Sequence, residues 1–440
     1  MNQKLLLHYW KACFACFVLL HIAGIVHGQK KRVLFVGNSY TYTNNLPQMV
    51  KNVAASAGDT VECDMSAAGA AAWYQHLDST ITVLATLSKI RQGGWDYVVL
   101  QEQSQAPAYP PDLFYEWVYP YARQLVDTVK RYNPCAEVIF YMTWGRENGD
   151  TPSMCNGFPN WPFYCTYLTM DSVIRARYML MADSNKVTVS PVGPVWRYIR
   201  AHYPGIGLYA SDGSHPSLAG SYAAACSFYT AIFKKPADSI RSDYMLSPTD
   251  AANIRNAATR IAYDSMGFWS IGRYETIARF NQNTGSMLSV SFTNTSVNAT
   301  QYEWDFGDGQ TATVSDPSHT YATPGVYTAR LVATGASQCS DTAYARINVG
   351  PLSISGHDVA APFTIAPNPA TDILYIQSPM FTRENCRIQI RNGIGQLLYE
   401  RQATRATVQP IDVSQMKSGV YLLQVTGAAG KPFSKKITIR

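Results

Sequence analysis

A serine stands at the end of an apolar run near the start of the sequence. Residues 33–36 (VLFV) predict a buried strand, and Gly37 and Asn38 separate that strand from Ser39. A serine in this position can be a turn residue or a helix N-cap. It can equally be a nucleophile held at the edge of a sheet.

A base and a carboxylate for such a serine occur far downstream, in the segment DGSHP. Asp212 and His215 lie three residues apart in a turn before a helix predicted to begin at Pro216. This spacing lets the carboxylate reach Nδ1 of the imidazole while Nε2 faces outward, as nucleophilic catalysis by serine requires. The same residues are also typical of a turn and a helix start. Ser39, Asp212 and His215 are therefore candidate catalytic residues.

Two further segments could stabilise an oxyanion. Gly69 lies in a run of small residues, where its backbone N–H could approach a substrate closely. The predicted buried strand DYVVL ends in Gln101-Glu102-Gln103-Ser104, and an amide at the carboxyl end of a strand can donate to an oxyanion. The alternatives are a small-residue helix start for Gly69 and a loop cap for the glutamines.

Composition limits the class of protein. Of the 440 residues, 47% are apolar and 15% charged, which excludes a disordered chain.

Residues 1–28 combine two lysines with an apolar run over residues 12–26 and predict a secretory signal peptide. No later segment predicts a transmembrane span. The formal net charge of +6 is not gathered into a basic run, so we expect no nucleic-acid partner.

The cysteine pattern fits an exported protein. Seven of the nine cysteines follow the predicted signal peptide, and an odd number leaves at least one thiol free. Cys155 and Cys165 flank a loop that contains two prolines and a glycine, and we predict that they form a disulfide. Among these seven cysteines, no CxxC or Cys/His spacing predicts a metal site, and no cofactor is implied.

Four regions follow the predicted signal peptide. Residues 29–272 alternate buried strands and helices, which predicts an α/β domain with a parallel sheet between helix layers. Residues 273–350 contain alternating strands with frequent turn signals and predict a β-sandwich. Residues 351–361 are a predicted linker. Residues 362–440 predict a second, smaller β-sandwich domain.

The order of the first motifs resembles the SGNH (GDSL-like) hydrolases. Gly37-Asn38-Ser39 is similar to the first block of that superfamily, Gly69 to the second, and Asp212-x-x-His215 to the last. The resemblance covers roughly residues 30–235. It implies a three-layer α/β/α fold with Ser39 as nucleophile, His215 as base and Asp212 as its orienting carboxylate. It also implies that the backbone N–H groups of Ser39 and Gly69 form part of an oxyanion hole.

The third block departs from the superfamily pattern. Where Gly-x-Asn-Asp is usual, this chain has Gln101-Glu102-Gln103-Ser104. The segment is more similar to the Gln-Gly-Glu-Ser block of sialate-O-acetylesterase-like enzymes. That likeness places Gln101 in the role of oxyanion donor, with Gln103 as the alternative.

The segment YEWDFGDG closely resembles a PKD domain. Trp304 to Gly309 carry the resemblance, and HTY and PGVY segments follow at the usual distance. Asp308-Gly309 predicts a tight hairpin turn, and Trp304 and Phe306 are predicted to fill the sandwich core. The resemblance implies either a passive spacer or a glycan-binding accessory.

The tail resembles the C-terminal sorting domain of the type nine secretion system of Bacteroidetes. The resemblance rests on Pro367-Asn368-Pro369, on the segment GVYL and on the final basic strand. It implies that the secretion machinery is a partner and that the protein is secreted or bound to the cell surface.

These features predict a secreted serine esterase that acts on O-acyl esters of carbohydrates, acetyl esters in particular. Its substrate is then a small-molecule or polysaccharide ester, cleaved through an acyl-enzyme intermediate without a cofactor. The alternative is a non-catalytic, adhesin-like surface protein that binds glycans and retains the SGNH fold.

Overall fold

The computed structural model describes residues 30–81, 83–284, 288–350, 363–393, 395–427 and 432–440. The chain divides into two compact units, one that ends at Gly350 and one from Pro351 to Arg440. The predicted signal peptide (residues 1–28) and linker (residues 351–361) lie outside the described residues, and the predicted domain boundaries stay predictions. Within the described ranges, no helix is long and apolar enough to cross a membrane.

A five-stranded parallel sheet forms the centre of the first unit. Its strands, numbered along the chain, are β1 (Lys31–Gly37), β2 (Val61–Ala67), β3 (Tyr97–Leu100), β4 (Glu137–Tyr141) and β5 (Thr188–Ser190). In the sheet they lie in the order β2-β1-β3-β4-β5. Gly37 pairs with Ala67, and Val36 pairs with Leu100, so these three strands end at the same level. The segments after β1, β2 and β3 therefore meet at one edge, where open parallel sheets bind ligands.

Burial explains why the inner strands are apolar throughout. Residues 33–36 of β1 are all fully buried, as are residues 98–100 of β3. Successive side chains of a strand point to opposite faces, so both faces of the sheet are covered.

Eleven helices of the described first unit surround this sheet. They are α1 (Ser39–Tyr42), α2 (Leu46–Ser56), α3 (Trp73–His76), α4 (Thr86–Gln92), α5 (Pro111–Trp117), α6 (Tyr119–Tyr132), α7 (Pro152–Gly157), α8 (Tyr167–Asn185), α9 (Val192–His202), α10 (Leu218–Phe233) and α11 (Pro248–Ala258). Side-chain N-caps begin several of them; Ser217, for example, accepts a hydrogen bond from Gly220 at the start of α10. Helix α10 is buried along almost its whole length, which matches its apolar composition on every side.

Two antiparallel sheets complete the first unit. Their strands are β6 (Phe280–Thr284), β7 (Ser289–Asn294), β8 (Gln301–Asp305), β9 (Thr311–Ala312), β10 (Ser318–Thr320), β11 (Gly325–Thr334) and β12 (Ser340–Val349). The sheets have the orders β10-β7-β6 and β12-β11-β8-β9. Phe292, Trp304 and Phe306 lie in the core between them.

Covalent and ionic contacts join this β-sandwich to the α/β domain. Cys135, just before β4, forms a disulfide with Cys339, just before β12. Lys234 Nζ lies 2.5 Å from a carboxylate oxygen of Glu275, and Tyr97 Oη donates to the same carboxylate at 2.9 Å. These five residues help to line a cavity of about 260 Å³ at the amino-terminal edge of the central sheet. The cavity lies at the opposite edge from Ser39.

A second described disulfide joins Cys155 and Cys165. Cys155 lies in α7 and Cys165 precedes α8, so the bond closes the loop that connects these helices. Among the described cysteines, Cys63, Cys226 and Cys386 are free thiols.

The second unit is a small, two-sheet β domain. Its strands are β13 (Thr364–Ala366), β14 (Ile373–Gln377), β15 (Arg387–Arg391), β16 (Leu397–Gln402), β17 (Val408–Asp412), β18 (Gly419–Thr426) and β19 (Pro432–Ile439), with one short helix, α12 (Met380–Arg383). The sheets have the orders β13-β14-β17 and β16-β15-β18-β19. The predicted fold class, a parallel α/β domain followed by two antiparallel β domains, is confirmed.

Candidate active site

Ser39 begins helix α1 immediately beyond the end of β1. Asn38 is the N-cap of this helix, and its side-chain oxygen accepts a hydrogen bond from the backbone N–H of Tyr40 at 3.1 Å. A side chain on Gly37 would clash with Thr41 Oγ1 and Gln101 Oε1. The glycine at position 37 therefore leaves room for the two side-chain oxygens that hold the turn before Ser39.

The turn that carries Asp212 and His215 is held by its own backbone. Asp212 Oδ1 accepts hydrogen bonds from the backbone N–H groups of Ser214 and His215, each at 2.9 Å. Gly213 has a φ of +65°, in the left-handed region that favours glycine. Asp212 Oδ2 lies 2.5 Å from His215 Nδ1.

The structure brings the three candidate catalytic residues together. His215 Nε2 lies 2.8 Å from Ser39 Oγ, so Asp212, His215 and Ser39 form one hydrogen-bonded chain. Partial burial alone would raise the pKa of Asp212, but hydrogen bonds from the His215 side chain and from the backbone N–H groups of Ser214 and His215 lower it to about 2. Asp212 is therefore ionised at neutral pH.

Aromatic packing fixes the turn against α1. The ring of Tyr40 stacks on Trp144 with centroids 4.6 Å apart, and its hydroxyl lies 2.7 Å from Ser214 Oγ. Trp144 Nε1 donates to the carbonyl oxygen of Ser214 at 3.1 Å. Both aromatic side chains are buried, so they are structural supports for the His215 turn. Tyr40 and Ser214 could not be identified from the sequence, because nothing in the local pattern links residues this far apart.

Gly69 follows β2 at the same edge as Ser39. Asn38 Nδ2 donates to the carbonyl oxygen of Ala71 at 3.0 Å, which ties the segment after β2 to the turn before Ser39. A Cβ atom on Gly69 would lie 3.6 Å from the hydroxyl of Tyr42 in α1. Within the described residues, neither the backbone N–H of Ser39 nor that of Gly69 donates to a protein acceptor.

The hydrogen bonds of Gln101 correct its assignment as an oxyanion donor. Its Oε1 accepts from the backbone N–H of Asn38 and from Thr41 Oγ1, both at 2.9 Å. Its Nε2 donates to the carbonyl oxygen of Glu102. The side chain is fully buried, so both ends of the amide hold the turn before Ser39 and neither is available to a substrate.

Gln103, the alternative, has a different arrangement. Its Oε1 accepts from the backbone N–H groups of Gln105 and Ala106 at 2.7 and 3.0 Å, which fixes the orientation of the amide. Its Nε2 makes only long contacts, at 3.5 Å to Ser104 Oγ and 3.3 Å to Gln105 Oε1. This partly buried N–H₂ group can still donate to a bound molecule.

Among the described residues, no cluster of three or more His, Cys, Asp or Glu side chains could hold a metal ion. The donors near Ser39 are amides, backbone N–H groups and one imidazole. The arrangement therefore suits activation of a hydroxyl by a base and stabilisation of an oxyanion by neutral donors.

Comparison with known families identifies both β domains. The PKD domain model matches residues 275–349, and the secretion system C-terminal sorting domain model matches residues 364–440. The chain carries a PKD domain and a secretion sorting domain. Both recognitions from the sequence are confirmed, and the protein is secreted or located at the cell surface, with the secretion machinery as a partner of its sorting domain. No curated protein matches the chain.

Solved structures resemble separate parts of the chain. A protein of Slackia heliotrinireducens assigned to the SGNH hydrolases is 26% identical, covering 46% of this chain and 97% of its own (TM-score 0.38). A DUF4886 family protein of Bacteroides uniformis is 17% identical, covering 54% and 96% (TM-score 0.46). The PKD1 domain of the Vibrio cholerae metalloprotease PrtV is 37% identical, covering 17% and 96% (TM-score 0.17).

Proposed function

We propose that this exported protein is a serine ester hydrolase that cleaves O-acyl esters through an acyl-enzyme intermediate. One observation carries the proposal, the hydrogen-bonded chain from Asp212 through His215 to Ser39 Oγ. A serine hydroxyl is a weak nucleophile unless a neighbouring base accepts its proton. Here His215 is that base, and the Asp212 carboxylate orients it.

In the first half of the reaction, Ser39 Oγ attacks the acyl carbonyl carbon while its proton passes to His215 Nε2. The ionised Asp212 stabilises the resulting imidazolium. Collapse of the tetrahedral intermediate breaks the bond to the alcohol, which leaves with the proton from His215. In the second half, water repeats the sequence on the acyl-Ser39 and releases the carboxylic acid.

Three donors are proposed for the oxyanion. They are the backbone N–H groups of Ser39 and Gly69 and the side-chain N–H₂ of Gln103. The proposal is supported by the free backbone N–H groups and by the fixed amide orientation of Gln103. Donors that are already in place before the reaction cost no reorganisation when the charge develops.

We propose carbohydrate O-acyl esters, acetyl esters in particular, as the substrates. The resemblance to sialate-O-acetylesterase-like enzymes suggests this class. Two exposed aromatic rings in the segments that follow β1 and β2 support it, Tyr42 in α1 and Tyr74 in α3, each 41% exposed. Such rings can pack against the apolar C–H face of a sugar.

The test is hydrolysis by the purified protein of acetylated sugars and short-chain aryl esters. Ser39→Ala and His215→Ala should each abolish turnover, and the double variant should lose little more because the triad acts as a unit. His202→Ala is the matched control, since His202 is an exposed histidine on α9 whose one hydrogen bond within the described residues is to the Tyr198 carbonyl. Activity should persist in EDTA. Full activity in Ser39→Ala would refute the proposal, and failure of every ester would favour the non-catalytic, glycan-binding alternative.

A further inference from the structure

A buried carboxyl group is hydrogen-bonded to two of the segments that carry the proposed oxyanion donors. Glu102 follows β3 and its side chain is fully buried. Its Oε1 accepts two backbone hydrogen bonds, from Trp73 at 3.0 Å and from Gln103 at 2.6 Å. Its Oε2 has no hydrogen-bond partner within the described part of the chain. The mechanism above gives this carboxyl no chemical step.

The two N–H groups that donate hydrogen bonds to Glu102 belong to different segments of the site. Trp73 begins α3, at the end of the segment that contains Gly69, whereas Gln103 carries the proposed amide donor. A single carboxyl oxygen therefore joins the chain after β2 to the chain after β3.

The preceding residue makes the corresponding connection to β1. Gln101 Oε1 accepts from the backbone N–H of Asn38, and Gln101 Nε2 donates to the carbonyl oxygen of Glu102. Through these two consecutive residues, the segments that carry Ser39, Gly69 and Gln103 are all bonded to the end of β3.

We propose that Glu102 is a positioning residue that sets the distance between the Gly69 and Gln103 oxyanion donors. This inference rests on the proposed ester hydrolase function and deepens it. Glu102 acts as a shared hydrogen-bond acceptor and does not touch the substrate. Its removal changes the placement of donors whose contribution is made in the transition state, so it lowers kcat and leaves KM almost unchanged.

The positioning role requires a correctly placed acceptor oxygen and does not require a negative charge. Burial raises the pKa of Glu102 to about 8, opposed by the backbone N–H groups of Gln103 and Trp73, so the neutral, protonated form predominates at pH 7. Glutamine has the same shape and keeps the accepting oxygen. Aspartate keeps the carboxyl but withdraws it by one methylene, and alanine removes it.

The experiment measures kcat and KM on a short-chain aryl acetate at pH 7 for the wild-type protein, Glu102→Gln, Glu102→Asp and Glu102→Ala. Glu137→Ala is the matched control, because Glu137 is a buried glutamate of the same sheet that begins β4 at the opposite edge. Thermal unfolding of each variant accompanies the kinetics. If Glu102→Ala does not fold, Glu102→Asp gives the same comparison.

We expect Glu102→Ala and Glu102→Asp to lower kcat by about 100-fold, the scale of a displacement of about 1 Å in a site, with KM changed less than threefold. Glu102→Gln should keep at least a third of wild-type kcat, and Glu137→Ala should lose stability but not kcat. Wild-type kcat in Glu102→Ala or Glu102→Asp would overturn the inference. So would an equal loss in Glu102→Gln, or an equal loss of kcat in Glu137→Ala. An inactive wild-type protein would instead refute the proposed function, and the inference with it.

Discussion

Gln101 and Gln103 lie two positions apart and differ in what their amides contact. We expect Gln103→Ala to lower kcat by about 100-fold or more, the scale of losing one oxyanion donor. Its melting temperature should fall less than that of Gln101→Ala, because the N–H groups of Gln105 and Ala106 that lose their acceptor are only partly buried. Gln101→Ala should lower the melting temperature, because it leaves the buried N–H of Asn38 and the carbonyl of Glu102 without partners. Each such group costs about 1–3 kcal/mol. Steady-state kinetics and calorimetry distinguish the two variants, and unchanged kcat in Gln103→Ala would contradict the assignment.

The pKa of Glu102 predicts a pH-dependent stability. Its value rises on burial from 4.5 to about 8, so between these limits the unfolded chain releases a proton that the folded chain retains. The contribution of this group to the free energy of unfolding therefore falls as pH rises from 4.5 to 8. Because Glu102→Gln does not titrate, its melting temperature should improve relative to wild type between pH 5 and pH 8. A difference that does not vary with pH would contradict the raised pKa.

Single residues were predictable where their chemistry depends on local spacing. Asp212 and His215 are three residues apart, and a turn of that length brings a carboxylate to Nδ1 whatever the rest of the fold does. The choice between Gln101 and Gln103 was not predictable in this way. It depends on which amide faces the turn before Ser39, and that is set by the packing of β3 against β1.

At the scale of elements, the junction of β1 and α1 determines where Ser39 stands. A methyl group on Gly37 would overlap Thr41 Oγ1 and Gln101 Oε1, so Gly37→Ala must displace the two side chains that hold the turn. We expect a loss of stability of about 1–3 kcal/mol, typical of overpacking, together with reduced kcat. Gly157→Ala in α7 is the control, since a Cβ atom there meets nothing within 4 Å. Denaturant unfolding measures both; equal stability of the two variants would show that the junction tolerates a side chain.

Elements with buried environments on both sides could be predicted from the sequence. The apolar runs at residues 33–36 and 97–100 became β1 and β3. Strand β2 gave no such run, because it lies at the edge of the sheet and pairs only with β1. Its exposed Glu62 and partly exposed Asp64 are compatible with an edge position but conceal the strand in the sequence.

At the scale of the whole molecule, the PKD domain is covalently joined to the α/β domain. The Cys135–Cys339 disulfide connects residues 204 positions apart, whereas Cys155–Cys165 spans 10. The loop-entropy model assigns roughly 5 kcal/mol to the longer loop and roughly 3 kcal/mol to the shorter. The Cys135→Ser/Cys339→Ser variant should therefore melt at a lower temperature than Cys155→Ser/Cys165→Ser. The reverse order, measured by calorimetry of the oxidised proteins, would contradict a stabilising role for the connection between domains.

The domain order could be predicted because each β domain carries its own dense motif, such as Trp304 to Gly309. The connection between domains could not. Cys135 and Cys339 have no local pattern that pairs them, and only the placement of the β-sandwich at the amino-terminal edge of the central sheet brings them together. The same placement leaves the carboxyl-terminal edge, with Ser39, uncovered by the PKD domain.

The central claim, that Ser39 is a nucleophile activated by His215, is tested most directly by covalent labelling. The purified protein is treated with a fluorophosphonate probe, and the modified peptides are mapped by mass spectrometry. We predict that Ser39 alone is labelled, that His215→Ala greatly slows its labelling, and that labelling abolishes ester hydrolysis in step with its extent. Labelling at another serine, or hydrolysis that continues after Ser39 is fully modified, would contradict the claim.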